Sequence, residues 1–327
     1  MKGMTQTNVT SLNIPFARYH NGYMLPVIKI NERVFESITY NTSLTEISIG
    51  GAISEIGDSA FSGVNANQIN FAHKGRGIYY NYGQVEPMRQ LTVGAEAFAR
   101  NHNIKKIVLP ASLKTLNDRA FQSCTSLVDL TFESGVTPAL GYIGDFVFRD
   151  NNSMTNNEIV RLLMEDGKKG TIRFDYGDVG DGIFMNTSIA NVKTSDGQTT
   201  NKIVWRDTLL HVYYPNGFER NLTFTEKEIA GYAFVNAGSD TDENLQITIR
   251  FADPNTVIHA NAFSNLHPSV KVIYLKKDNK TAINIDNVDL NAFDDTVKHT
   301  VSVSTSNMVL WTEKFEKIHN LGYFRFS

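Results

Sequence analysis

Leu116-Asn117-Asp118-Arg119-Ala120-Phe121-Gln122-Ser123-Cys124-Thr125-Ser126-Leu127-Val128-Asp129-Leu130-Thr131-Phe132 decides the fold, because its opening six residues return along the chain. Close copies are Ile56-Gly57-Asp58-Ser59-Ala60-Phe61, Ile143-Gly144-Asp145-Phe146-Val147-Phe148, Ile229-Ala230-Gly231-Tyr232-Ala233-Phe234 and Ile258-His259-Ala260-Asn261-Ala262-Phe263. Looser ones centre on Phe35, Phe98, Phe184 and Phe293. Six positions kept in one order mark an internal repeat, and a repeat dictates the architecture before any single element does.

Each copy is followed by a polar stretch and then by an alternating apolar pattern. Ile104, Ile107 and Leu109 follow Phe98, and Leu127, Leu130 and Phe132 follow Phe121. After Phe263 the pattern is Val270-Lys271-Val272-Ile273-Tyr274-Leu275. The final alternation is that of a half-buried strand. From Phe98 to Phe121 is 23 residues, within the range of leucine-rich repeats. One such unit is too small to bury its own apolar face, so neighbours must stack and fuse their Ile, Leu and Phe into a continuous core. The expected fold is therefore a leucine-rich-repeat-like β-solenoid, a right-handed coil of about nine units in one elongated domain. Short strands alternate with 3-10 or turn segments, and inserted hairpins and one short helix interrupt the stack.

These residues resemble the BspA-type leucine-rich repeats, whose units read Ile-Gly-Asp-x-Ala-Phe, then x-x-Cys-x-Ser-Leu, then a strand. Ala120 to Leu127 follows that pattern almost residue for residue. The segment Lys202-Ile203-Val204-Trp205-Arg206-Asp207-Thr208-Leu209-Leu210-His211-Val212-Tyr213-Tyr214-Pro215-Asn216-Gly217 is similar to a hairpin insertion of the same family. The resemblance covers residues 30–305 and implies a bacterial surface or secreted protein that adheres to host proteins or other bacteria. It also implies that Cys124 fills a structural slot. Residues 1–29 are expected to cap one end, through Ile14, Phe16, Tyr23, Leu25, Val27 and Ile28, and residues 306–327 the other, through Trp311, Phe315 and Ile318.

Insertions are expected near 72–89, 150–170 and 195–220. The first carries Tyr79, Tyr80 and Tyr82 among glycines, a composition suited to a binding loop or to a hairpin lying flat on the coil. In the second, Ile159, Leu162 and Leu163 share one face of a short helix that Asn156 or Asn157 can cap and Gly167 can end. The third is the Tyr-Pro hairpin, expected alongside the coil.

Composition removes several functions. A net charge of −3 offers no basic excess for nucleic acid. A single cysteine permits neither an internal disulfide nor a zinc ribbon. No GxSxG, HExxH or P-loop is present, so no catalytic residue, cofactor or metal is expected. Asp175, Asp178 and Asp181 among glycines admit two readings, a calcium loop and local turn caps.

What remains is a non-enzymatic scaffold that binds a macromolecule: a host protein, a glycan or a bacterial surface component. A structural spacer and, more distantly, a β-solenoid carbohydrate-active enzyme are the alternatives. A monomer is expected, with no transmembrane segment. The location is expected to be extracellular or at the cell surface, although residues 1–10 lack a signal-peptide apolar core and a cytoplasmic location stays open. Outward strand positions are expected at Glu46, Ser48, Gln68, Asn70, Lys106, Val108, Asp129, Thr131, Asn191, Lys193, Thr248, Arg250, Val272 and Tyr274. Partner contact is assigned to Tyr79, Tyr80, Tyr82, Glu46, Lys106, Asp129, Lys193, Arg250 and Tyr274.

Overall fold

The computed structural model describes residues 9–36, 44–72, 78–79, 85–86, 89–134, 138–166, 174–175, 178–189, 192–193, 199–206, 208–213, 221–235, 247–264, 266, 270–274, 283–293, 300–303 and 324–326. They fall into two compact units: Met1–Ile159 with Lys169–Ile189, and Val160–Lys168 with Ala190–Ser327.

The first unit is a coil wound between two parallel sheets. One sheet takes the strands Ser11–Ile14, Glu46–Gly50, Gln68–Ala72, Lys106–Leu109, Asp129–Phe132 and Asn156–Asn157 in that order. The other takes Lys29–Ile30, Glu55–Ile56, Leu91–Val93, Leu113–Leu116 and Tyr142–Ile143. The chain visits the sheets alternately, and a Phe-containing turn leads back from the second to the first. In the first sheet Ile47, Ile49, Ile69, Ile107, Leu109 and Leu130 point into the core and are buried. That alternation is what fixes the register between coils.

The repeat motif is explained position by position. Its Ile is the inward residue of the second sheet, fully buried at Ile56 and Ile143. Its Gly sits where backbones of adjacent coils nearly touch: a Cβ on Gly57 would lie 2.5 Å from the Glu32 amide nitrogen, and one on Gly144 2.7 Å from that of Asp118. Its Asp caps the next coil. Asp58 Oδ1 accepts the Ala95 N–H at 2.7 Å, Asp118 Oδ1 that of Asp145 at 3.0 Å, and Asp145 Oδ1 that of Asp181 at 2.8 Å.

The variable position before Ala-Phe has left-handed backbone: Arg33, Ser59, Glu96, Arg119 and Phe146 all have φ between 53° and 58°. A second left-handed residue lies two places after the Phe, at Gly63, Arg100, Ser123, Asp150 and Asn186. Non-glycine residues pay for this conformation. The return is visible in the hydrogen bonds. Between the two left-handed residues every second N–H points along the stack, so that the Arg119, Phe121 and Ser123 amides donate to Asp145, Val147 and Arg149 of the next coil. The turn thereby continues a parallel ladder without being a strand.

The Phe slot forms a ladder. Phe35, Phe61, Phe98, Phe121, Phe148 and Phe184 stack at centroid separations of 5.0 to 5.8 Å with ring planes within 13° of parallel. Cys124 is buried beside them, its thiol donating to the Phe98 carbonyl at 3.2 Å. Burial pushes that thiol up to about 12, so it stays protonated and acts as a small hydrophobe.

The helix expected in the second insertion is Glu158–Glu165. Asn157 Oδ1 accepts the Ile159 N–H at 2.9 Å and caps it, while Ile159, Leu162 and Leu163 are buried. Asn156 and Asn157 pair with Asp129 and Leu130, so the segment begins as a rung of the sheet and only then turns helical. Gly167 lies outside the described residues.

In the second unit the strands Asn221–Phe224, Ile247–Phe251, Val270–Tyr274, Thr300–Val303 and Phe324–Phe326 form one parallel sheet. Its last strand falls within the segment 306–327 that the sequence assigns to a cap; Trp311, Phe315 and Ile318 lie outside the described residues. Phe234, Phe263 and Phe293 stack at 5.2 and 5.0 Å. The Tyr-Pro segment is a hairpin, Lys202–Trp205 against Leu209–Tyr213. It does more than lie alongside, since Leu209 and Leu210 pair parallel with Glu228 and Ile229 and so extend the Glu228–Ile229 and Val257–Ile258 row.

The N-terminal expectation is corrected. Leu12, Ile14 and Ile30 are buried, but Phe16, Tyr23, Leu25 and Ile28 are exposed. The cause is local. Asn21 and Gly22 both have positive φ and turn the chain into a hairpin, Ala17–His20 against Tyr23–Pro26, which carries these side chains into solvent.

Candidate interaction surface

Parallel register places the outward side chains of the first sheet in rows. One row runs Ser11, Glu46, Gln68, Lys106, Asp129 and Asn156; the other runs Asn13, Ser48, Asn70, Val108 and Thr131. The rungs of a row are separated by the strand spacing of about 4.8 Å.

Neighbouring rungs are hydrogen-bonded to each other. Asn70 Nδ2 donates to Glu46 Oε1 at 2.6 Å and Ser48 Oγ to the same oxygen at 3.0 Å. The Asn70 amide, with Ser48 and Gln68 adding to it, holds the Glu46 carboxyl below its ordinary range. Lys106 Nζ lies 3.0 Å from Asp129 Oδ2, and Asn156 Nδ2 donates to Asp129 Oδ1 at 2.5 Å. Exposed pairs of this kind add little to stability. What they do is hold long side chains in fixed positions over a rigid core. Val108, 39% exposed, is an apolar step within the polar field.

In the second unit register aligns Thr223, Arg250, Tyr274, Ser302 and Arg325, and beside them Asn221, Thr248, Val272 and Thr300. Arg250 is half-buried. The structure thus brings together Glu46, Lys106 and Asp129 on one sheet, and Arg250 with Tyr274 on another.

Lys193 is a correction. Val192–Lys193 pairs antiparallel with Thr199–Thr200 in a separate two-stranded ribbon and belongs to neither row. Its alternating sequence reads as a rung, but the turn-rich Ser195-Asp196-Gly197 that follows favours a local partner. Asn191 lies outside the described residues. So do Tyr80 and Tyr82; Tyr79 is described only as backbone, paired with Val85 in a short hairpin. In chain order that hairpin and Ala17–Pro26 each follow a strand of the first sheet and precede one of the second.

Of the acidic triplet, Asp178 Oδ2 accepts the Asp175 N–H at 2.8 Å and the Asp181 N–H goes to Asp145. These are turn and coil contacts. Among the described residues no three His, Cys, Asp or Glu side chains converge as metal ligands. No described helix is long and apolar enough to cross a membrane. An open polar groove of about 700 Å³ runs along the second sheet past Lys29, Ser54, Glu55, Asp58, Gln90 and Thr92.

Sequence reasoning missed two features. One is the exposed hairpin at Ala17–Pro26, whose Asn-Gly turn between alternating residues was the available signal. The other is a buried cluster on the Tyr-Pro hairpin: Trp205 Nε1 and Arg206 Nε both donate to Asp166, at 2.6 and 3.2 Å, and the Arg206 guanidinium lies 4.9 Å over the Trp205 ring. Asp166 and Trp205 are 39 residues apart, and no local pattern announces such a pair.

Residues 25–82 and 91–169 match the family described as BspA type leucine rich repeat region, in six copies. No curated protein matches the sequence. Among solved structures, the pneumococcal vaccine antigen PcpA is similar at 16% identity, over 98% of this chain and 89% of that one, with a TM-score of 0.52. A leucine rich cell surface protein from Faecalibacterium prausnitzii aligns at 14% identity, over 98% and 88%, with a TM-score of 0.47. The first likeness shows a shared fold, and the matched residues show that it is built of leucine-rich repeats.

Proposed function

We propose that this chain, whose residues 25–82 and 91–169 form a BspA-type leucine-rich repeat region, is a non-enzymatic scaffold of a bacterial cell surface that binds a macromolecule along its strand face. The observation that carries the reading is the pair of in-register outward rows, in which Glu46, Gln68, Lys106 and Asp129 are presented at fixed spacing over a fully buried aliphatic layer. A rigid, regularly spaced and chemically mixed surface suits an extended or broad partner, because little side-chain entropy is left to lose on binding. The interior supports the same reading: Ile, Leu and Phe fill the coil and leave the exposed faces to do the recognition.

The test is attachment to immobilised host-matrix proteins and to partner bacterial cells. Lys106→Ala, Arg250→Ala and Tyr274→Ala together should fold normally and reduce attachment at least tenfold. Tyr79→Ser, Tyr80→Ser and Tyr82→Ser together probe the other assigned surface. Full attachment by both triple variants, or cleavage of a glycan by the unaltered chain, overturns the scaffold reading.

A further inference from the structure

Phe16, Tyr19, Tyr23, Met24, Leu25 and Ile28 are all exposed, between 41% and 68%, within thirteen consecutive residues. Four of them lie on the two strands of one hairpin. Antiparallel register pairs Tyr19 with Met24, and pairs Arg18 with Leu25 and His20 with Tyr23. Directly paired residues project from the same face of a two-stranded ribbon, and successive ones from opposite faces. The hairpin is therefore apolar and exposed on both sides. An isolated ribbon in water is marginal, and this one leaves both faces uncovered.

The charge of its own segment is one-sided. Residues 1–31 contain no Asp or Glu, while Lys2, Arg18 and Lys29 are present with His20 near the turn. Lys29 is engaged by Glu55 at 2.6 Å. Among the described residues Arg18 makes no ion pair, and its side chain is exposed.

We infer that this hairpin docks on an anionic lipid surface, its tip entering the headgroup region. A flat protein or glycan partner would cover one face of the ribbon and leave the other wet. A fluid apolar medium closes around both. Tyr and Phe have an apolar body and favour the membrane–water interface, and such elements sit about 5–10 Å deep, where outer-edge backbone groups remain hydrated. Arg18 supplies attraction to acidic headgroups. This contact is separate from the strand face and does not depend on what that face binds.

Co-sedimentation of the full chain with extruded vesicles tests it. The unaltered chain should pellet with equimolar phosphatidylglycerol and phosphatidylcholine, and far less with phosphatidylcholine alone. Tyr19→Ser, Tyr23→Ser and Leu25→Ser together should lower the partition at least tenfold. Arg18→Glu should lower it by about fivefold or more, and the loss should shrink at high salt. Lys106→Ala with Arg250→Ala and Tyr274→Ala should leave it unchanged, which separates this contact from the strand-face reading. A chain that stays in the supernatant, or a hairpin triple variant that pellets normally, overturns the inference. So does a concentration-dependent dimer in gel filtration that the hairpin variant abolishes, because the occupant is then a second copy.

Discussion

The two units solve one packing problem with different chemistry. In the first, the rings of Phe35 through Phe184 run as a single stacked ladder, with mostly aliphatic residues facing them, and Asp58, Asp118 and Asp145 each tie their motif to the next coil. In the second, Phe224 and Phe251 enter from the strand side and meet Phe234 and Phe263 edge-on, at 4.8 and 6.3 Å with planes 72° and 68° apart. The aspartate slot there holds Gly231 and Ala260. Yet the left-handed residue survives at Tyr232 and Asn261, with φ of 61° and 59°, and Phe234 still stacks on Phe263. What the motifs from Phe35 through Phe263 all keep is the Phe, an apolar residue before it and the left-handed position. The Gly-Asp pair is one way of closing the seam between coils. The matched family region stops at residue 169, before Gly231 and Ala260.

The comparison breaks first if the ladders are not structurally equivalent. Phe121→Ala removes a fully buried ring flanked by Phe98 and Phe148 and should cost ~3–5 kcal/mol in urea unfolding. Phe293→Ala, at a site 8% exposed, should cost less. Equal losses would show that complete burial of the ring adds nothing.

Acid should separate the units next. His211, 2% exposed, has no partner for either ring nitrogen among the described residues. Burial pushes its pKa down to about 4, and His259 adds repulsion. Unfolded histidine titrates near ~6.5, so the folded chain binds fewer protons. Stability from this site is full above ~6.5 and is lost as pH falls through that value toward 4, roughly 3 kcal/mol across the window. Trp205 lies 6.2 Å from His211, and both tryptophans belong to the second unit, so tryptophan fluorescence reads that unit. Its urea midpoint should fall between pH 7.5 and 4.5, and His211→Leu should flatten the fall. A midpoint that holds in the unaltered chain would mean the imidazole gains water when protonated.

The smallest effect tests the seam itself. Asp118→Ala strands the Asp145 N–H and should cost about 1 kcal/mol by urea unfolding. No cost would reduce the aspartate of the motif to a turn former.

Much of this was legible because it is local and repeated. Ile-Gly-Asp-x-Ala-Phe names five structural slots in six residues, and Asn157 with the Ile159, Leu162 and Leu163 stripe marks a helix without further help. The N-terminal residues misled because apolar content was read as burial: Phe16, Tyr23 and Leu25 carry the composition of a cap, but an Asn-Gly turn carries them outward. Lys193 misled for a related reason, since alternation does not say which partner a strand will take. Asp166 beneath Trp205 depends on tertiary folding alone.

Residue-for-residue register has a consequence for how such a surface changes over generations. Lys106 meets Gln68 on one side and Asp129 on the other at identical offsets. Excising the 23 residues from one Phe to the next, as between Phe98 and Phe121, would rejoin Phe61 and Phe71 to the same kinds of neighbour and shorten the rows by one rung. Duplicating them would lengthen the rows by one. The reach of the recognition face can therefore be edited by whole-coil gain or loss, while point substitutions edit its chemistry, and neither kind of change has to wait for the other.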